Sequence, residues 1–177
     1  MCIRDSDKVG YIRNSVKATV DAYDGTVDLY EFDKNDPVLK AWEGVFPDVV
    51  KPEAEISDEL REHFRYPEDM FKVQRDLLAR YHVDDPNVFF NNDAFWSVPN
   101  DPTAEESRQL NQPPYYVMAA DPETGKPTFQ LTTSYRGLNR EFLSAHMAVS
   151  SEPENYGDIT VRVLPTNTPV SYTHLRA

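Results

Sequence analysis

Four runs rich in β-forming residues crowd the last third of this chain: Tyr115–Ala120, 128–135, 143–150 and 159–164. The first two are joined by DPETGKP, a turn built from Pro122, Gly125 and Pro127, and the last two by residues 152–157. Proline and glycine supply the backbone angles that such turns need. The spacing predicts a four-strand antiparallel meander. Nearer the start, residues 16–22 and 26–32 flank Asp24-Gly25. Asp-Gly between alternating strands is a strong hairpin signal, because both positions tolerate positive φ. With a two-residue loop, Ala22 faces Val27 and Val20 faces Leu29, which gives one apolar face. The other face pairs Thr19 with Tyr30 and Lys17 with Phe32, and it sets Asp21 against Asp28. Like charges directly opposed are unfavourable, so a bulge or a nearby cation is expected there.

Helical patterns fill the middle. Asp36-Pro37 reads as an N-cap followed by proline in the first turn. Val38, Leu39, Trp42, Val45 and Phe46 continue at near-helical spacing until Pro47. Ser57 caps a second short helix, with Leu60 and Phe64 as its apolar stripe. Pro67 starts the longest one. Glu68 and Asp69 in its first turn, and Arg80 and His82 in its last, match the helix dipole. Met70, Val73, Leu77, Leu78 and Tyr81 are its expected buried stripe. Asp84-Asp85-Pro86 stops it. Phe89, Phe90, Phe95 and Trp96 are expected to pack on the core as a short helix or turn, and residues 100–113 read as a loop. Hairpin, then helices, then sheet is an α+β arrangement.

Length and charge narrow the function classes. At 177 residues with 40% apolar composition, the chain is long enough for one domain with a real core. Its net charge of −12 is spread along the sequence. An acidic surface repels phosphate backbones and anionic lipid, so nucleic acid is not an expected partner. No apolar run approaches the roughly eighteen residues of a membrane helix, so this piece reads as soluble. The only cysteine is Cys2. Residues 7–169 therefore cannot form a disulfide, a thiolate nucleophile or a zinc-thiolate site.

The residues that could carry chemistry are few. There is no phosphate-binding glycine loop, no GxSxG and no HExxH. His82 with Asp84 and Asp85 could form a general base or a hard-cation site. The more ordinary reading is a cation at a helix end followed by a turn. Asn91, Asn92 and Asp93 are an oxygen-rich run, as are Asp21, Asp24 and Asp28 around the hairpin. Both groups are candidate metal ligands, against the commoner role of side-chain-capped turns. Glu68 and Asp69, adjacent on a helix, diverge by about 100° and would not face one substrate. His63 and His146 read as structural. Trp42, Phe89, Phe90, Phe95, Trp96, Tyr115 and Tyr116 could line a glycan groove, but aromatic residues are more often core. No catalytic residue and no cofactor is expected.

Five ordered stretches carry a resemblance: YIRNSVKATVDAYDGTVDLY (11–30), YPEDMFKVQRDLLARYHVDDP (66–86), FFNNDAFWSVP (89–99), QPPYYVM (112–118) and NYGDITVRVLP (155–165). In this order they resemble uncharacterised protein family 0182. Its members are similar to one another in having several N-terminal membrane spans followed by a large extracytoplasmic region. The resemblance implies a fragment of that region and attachment to the cell membrane only through spans of a parent protein. It supplies no reaction. The expected role is structural or interaction-bearing in the cell envelope, with an envelope protein or polymer as partner. The alternatives are an enzyme acting on envelope polymers, or a divalent-cation or glycan-binding module. MCIRDS (1–6) and VSYTHLRA (170–177) resemble translated sequencing adapter and are set aside as non-native. Residues 7–169 are then read as a single α+β unit, part of a larger protein.

Overall fold

The computed structural model describes residues 10–104, 110–120, 125–165 and 170–171. Their contacts separate two compact units, Met1–Met70 and Phe71–Ala177, within the span that the sequence reads as one. Both helices and antiparallel strands are present, so the chain is α+β.

In the first unit, strands β1 (Val16–Val20) and β2 (Val27–Glu31) form the expected hairpin, and β3 (Val50–Lys51) adds in parallel to β2. The register differs from a two-residue loop. Val20 faces Val27, Ala18 faces Leu29 and Lys17 faces Tyr30. The cause is Asp21, whose N–H donates to the Thr26 carbonyl at 2.9 Å while its own carbonyl accepts from Gly25 N at 3.0 Å. Its side-chain Oδ1 accepts from Tyr23 N at 2.7 Å. Residues 22–25 thus make a longer loop, with Gly25 at φ +79°. The slip is by two residues, so each face keeps its side chains. Asp21 leaves the ladder, and Asp28 faces Thr19 instead. Lys51 Nζ lies 2.8 Å from Asp28 Oδ1, although the opposition of Asp21 and Asp28 that called for a cation is absent.

Which face points inward is the surprise. Val20 (66% exposed) and Val27 (57%) face outward, while Tyr30 is buried and Lys17 half-buried. Tyr30 and Phe32 bury more area than valine or alanine can. Phe32 packs edge-on against Phe64 with centroids 5.7 Å apart. Lys17 lies along this packed face, its ammonium 4.9 Å from the Phe32 ring centre and 3.1 Å from the Arg65 carbonyl.

Helix α1 (Pro37–Val45) begins at Asp36, whose Oδ1 accepts from Val38 N at 2.8 Å. Asp36 is buried and also accepts from the hydroxyls of Tyr11 and Ser15. Only Leu39 of α1 is buried; Val38, Trp42, Val45 and Phe46, expected as its apolar stripe, are exposed. Helix α2 (Asp58–Glu62) is capped by Ser57, as expected.

In the second unit, β5 (Tyr115–Ala120), β6 (Pro127–Gly137), β7 (Phe142–Ser150) and β8 (Ile159–Val163) form the predicted antiparallel meander. Two short strands extend it: β4 (Trp96–Ser97) beside β6 and β9 (Val170–Ser171) beside β7. Strand β9 lies within the stretch set aside as non-native; residues 1–6 and 172–177 lie outside the described residues. Leu131, Tyr135, Ala145, Met147 and Val149, from one face of β6 and β7, are fully or almost fully buried. The same face of β8 is not covered: Ile159, Val161 and Val163 are all exposed.

Helix α3 (Glu68–Tyr81) starts where expected but buries a different stripe. Phe71, Arg75 and Ala79 are inside, whereas Leu77 (53%) and Tyr81 (69%) are exposed. An arginine in the middle of the inward stripe hides it from a count of apolar residues. Arg75 is satisfied there because Nη1 donates to the Gln112 carbonyl and Nε to Asp76, both at 3.2 Å. Tyr135 completes the link by donating its hydroxyl to the Arg75 carbonyl at 3.0 Å. Helix α4 (Pro86–Asn91) follows, capped by Asp85. Of the expected aromatic cluster, Phe95 is buried and Trp96 half-buried, but Phe90 is 86% exposed.

Candidate functional site

The aspartates of the hairpin are occupied locally. Asp21 and Asp24 order the loop, each accepting from backbone N–H groups, and Asp28 is paired with Lys51. Asn91 ends α4. Asn92 closes the helix in the left-handed region at φ 59°, and Asp93 donates its N–H to the Val88 carbonyl at 3.4 Å. Among the described residues no group of three or more His, Cys, Asp or Glu is placed to hold a metal ion.

His82 sits just past α3 and does not turn toward Asp84 or Asp85. Its Nδ1 lies 2.8 Å from the Leu78 carbonyl and its Nε2 3.1 Å from the Ala94 carbonyl. Its ring stacks on Trp96 at 3.6 Å between centroids. Both ring nitrogens thus lie within hydrogen-bond distance of a main-chain carbonyl. This histidine is a clasp between α3 and the chain entering β4. Asp85 meanwhile caps α4 through Asn87 N at 2.7 Å. His63 likewise faces a helix carbonyl, that of Glu59, at 2.7 Å.

The arrangement richest in chemistry lies elsewhere, on the sheet face opposite the core. Side chains alternate across a sheet, so Leu131 and Val149 turn inward while Ser134, His146 and Arg162 turn outward. These three occupy adjacent register positions on β6, β7 and β8: Ser134 faces His146, and His146 faces Arg162. Strand β5 adds Tyr115 opposite Thr132 and Val117 opposite Gln130. Together they line a shallow recess of about 270 Å³ that includes Gln112, Tyr115, Gln130, Ser134, His146 and Arg162. No acidic side chain lines it among the described residues. A smaller neighbouring hollow shares His146 and Arg162 and reaches Ser150, Asn155 and Asp158.

The electrostatics of this face are set by two groups. Burial, and secondly the Arg162 charge, push the His146 imidazole below its ordinary pKa, which favours the neutral ring at neutral pH. The Arg162 guanidinium is exposed. Sequence reading set His146 aside as isolated and did not single out Arg162. The alternating polar series Thr128, Gln130, Thr132, Ser134 was visible in the chain, but the register that brings His146 beside Arg162 was not.

The aromatic residues divide. Phe95 is core, and Phe89 meets it edge-on at 5.1 Å. Tyr116 stacks on Phe129 at 5.6 Å. Trp42 and Phe46 stack on each other at 5.6 Å yet remain 59% and 51% exposed. The core expected of these rings holds for Phe95 but not for Trp42, Phe90, Tyr115 or Tyr116, which are exposed and sit on several separate elements. Among the described residues no helix is long and apolar enough to cross a membrane.

Comparison with known proteins gives this chain its relatives. The family described as Uncharacterised protein family (UPF0182) matches residues 3–174. A UPF0182 protein of Corynebacterium glutamicum (strain R) is 76% identical over 163 residues, which is 92% of this chain and 16% of that protein. UPF0182 protein CE0802 of Corynebacterium efficiens is 75% identical over 91% of this chain and 16% of its own length. UPF0182 protein RHA1_ro06389 of Rhodococcus jostii is 68% identical, again over 91% of this chain and 16% of its own length. The chain spans about one sixth of these relatives. No solved structure matches it. With nearly its whole length matched by the family and by relatives this similar, the chain belongs to UPF0182.

Proposed function

We propose that this segment is an interaction module in the extracytoplasmic region of a membrane-anchored cell-envelope protein. Its exposed apolar side chains would pack against the remainder of the same polypeptide. The observation that carries the reading is Trp42 with Phe46, two stacked rings left open on α1. Val20 and Val27 on the hairpin and Val163 on β8, 65% exposed, add to it. Large apolar side chains in groups on a surface mark contact sites. The relatives are about six times longer than the matched stretch, so ample chain exists to cover them. The extracytoplasmic location rests on the family resemblance alone.

Cys2 is the only cysteine of the 177-residue chain, and labelling of each introduced cysteine is read at its own peptide by mass spectrometry. In the full-length protein, Tyr23→Cys at the fully exposed loop tip should react with a membrane-impermeant maleimide on intact cells. Labelling seen only after lysis would reject the extracytoplasmic location. Trp42→Cys should react more slowly in the full-length protein than in the 177-residue chain. Equal rates would mean that the rest of the polypeptide does not cover α1.

A further inference from the structure

We propose that the recess around His146 and Arg162 binds an oxyanion, a carboxylate or phosphate group presented by an acidic ligand. The charges on this face are unbalanced. The chain carries 30 Asp and Glu, and Arg13, Arg61, Arg75 and Lys51 each pair with one of them. The Arg162 side chain forms no ion pair or hydrogen bond among the described residues. It borders a recess that no acidic side chain lines among the described residues. A planar guanidinium in that position offers a two-pronged donor matched to carboxylate and phosphate.

Its neighbours complete the set. His146 is half-buried, and its ring makes no hydrogen bond among the described residues, so an imidazole N–H is available. Ser134 adds a hydroxyl one strand over. Gln130 adds an amide whose Nε2 also donates to Thr128 Oγ1 at 3.2 Å. Directly opposed residues on neighbouring strands hold their Cβ atoms about 5 Å apart, so the central sheet fixes this row without a flexible loop. Asp158 faces the smaller hollow and not the larger one. The net charge opposes anions at long range, but that field is screened over about 8 Å at physiological salt. The recess, rather than the overall charge, would select the ligand. This proposal is independent of the docking role of α1.

The test is protection from chemical modification in the purified full-length protein. Phenylglyoxal reports Arg162, diethyl pyrocarbonate reports His146, and peptide mass spectrometry reads each site. Inorganic phosphate and glutarate are compared with chloride at matched ionic strength. At ten times its dissociation constant, an anion should slow modification of both residues about tenfold by mass action. Exposed Arg80 and His63 should be unaffected. Protection by phosphate alone identifies a phosphate site, and protection by glutarate alone a carboxylate site. Arg162→Gln should abolish any anion-dependent rise in melting temperature. Absence of protection by both anions, equal protection at Arg80, or an undiminished rise in R162Q would overturn the proposal.

Discussion

Phe71 and Leu77 lie six positions apart on one helix and answer opposite questions about stability. Phe71 is fully buried and Leu77 is 53% exposed. Phe71→Ala should cost about 3–5 kcal/mol through lost burial and the cavity left behind. Leu77→Ala should stay within about 0.5 kcal/mol, the range of ordinary surface changes. Urea denaturation of the two variants decides this. A large loss in L77A would mean that the stripe read from apolar spacing is the inward one after all. Arg75 is why that spacing misled: a charged residue at the centre of the true stripe looks like a solvent position until its carbonyl partner at Gln112 is known. Asp36 supports a pH prediction. Hydroxyl donors from Ser15 and then Tyr11 hold its carboxyl at about 2, below the usual carboxylate range. Its folded form thus prefers the ionised state. That contribution is complete above the ordinary value near 4, and it is lost as pH falls through about 2. The stability difference between the parent chain and Asp36→Asn should be constant from pH 5 to 7 and shrink across that acid window. A difference that persists unchanged at the acid end would exclude Asp36 as the group responsible.

At the scale of elements, local chemistry carried most of the reading. Asp36 and Ser57 each cap a helix through a side-chain oxygen, as read, and such caps depend on one residue and its immediate neighbours. The meander was legible for the same reason, since its turns are short and its strands alternate. Register and facing were not. The hairpin pairing depends on a bond from Asp21 to Thr26 across the loop, and the inward face depends on Phe64, far along the chain. The row Ser134–His146–Arg162 joins three strands whose mutual register no single strand encodes. Gly25 tests the loop account. At φ +79° it has nothing within 4 Å of where a Cβ would stand, so Gly25→Ala meets no clash and should cost only the backbone penalty, about 1 kcal/mol. A neutral result in thermal unfolding would mean that the loop readily adopts another shape.

For the whole molecule, charge and apolar surface act against each other. The net charge is −12 and the isoelectric point about 4.7. At neutral pH this charge keeps copies of the chain apart, because like-charged surfaces repel. Meanwhile Trp42, Phe46, Phe90 and Val163 are all more than half exposed. In a protein of its relatives' length, as proposed above, those side chains would have further polypeptide to meet; in isolation they have only other copies. Lowering the pH toward 4.7 removes the repulsion but leaves the apolar groups in place, so the isolated chain should associate there and stay monomeric at neutral pH. Light scattering across that range measures it. Salt at neutral pH should promote the same association by screening. Trp42→Lys and Val163→Lys should suppress it by breaking the apolar patches, even though each brings the net charge closer to zero. Charge alone would predict the reverse, more association in the lysine variants at neutral pH. A parent chain that remains monodisperse at its isoelectric point would show that its exposed apolar residues are too scattered to act as contact surfaces.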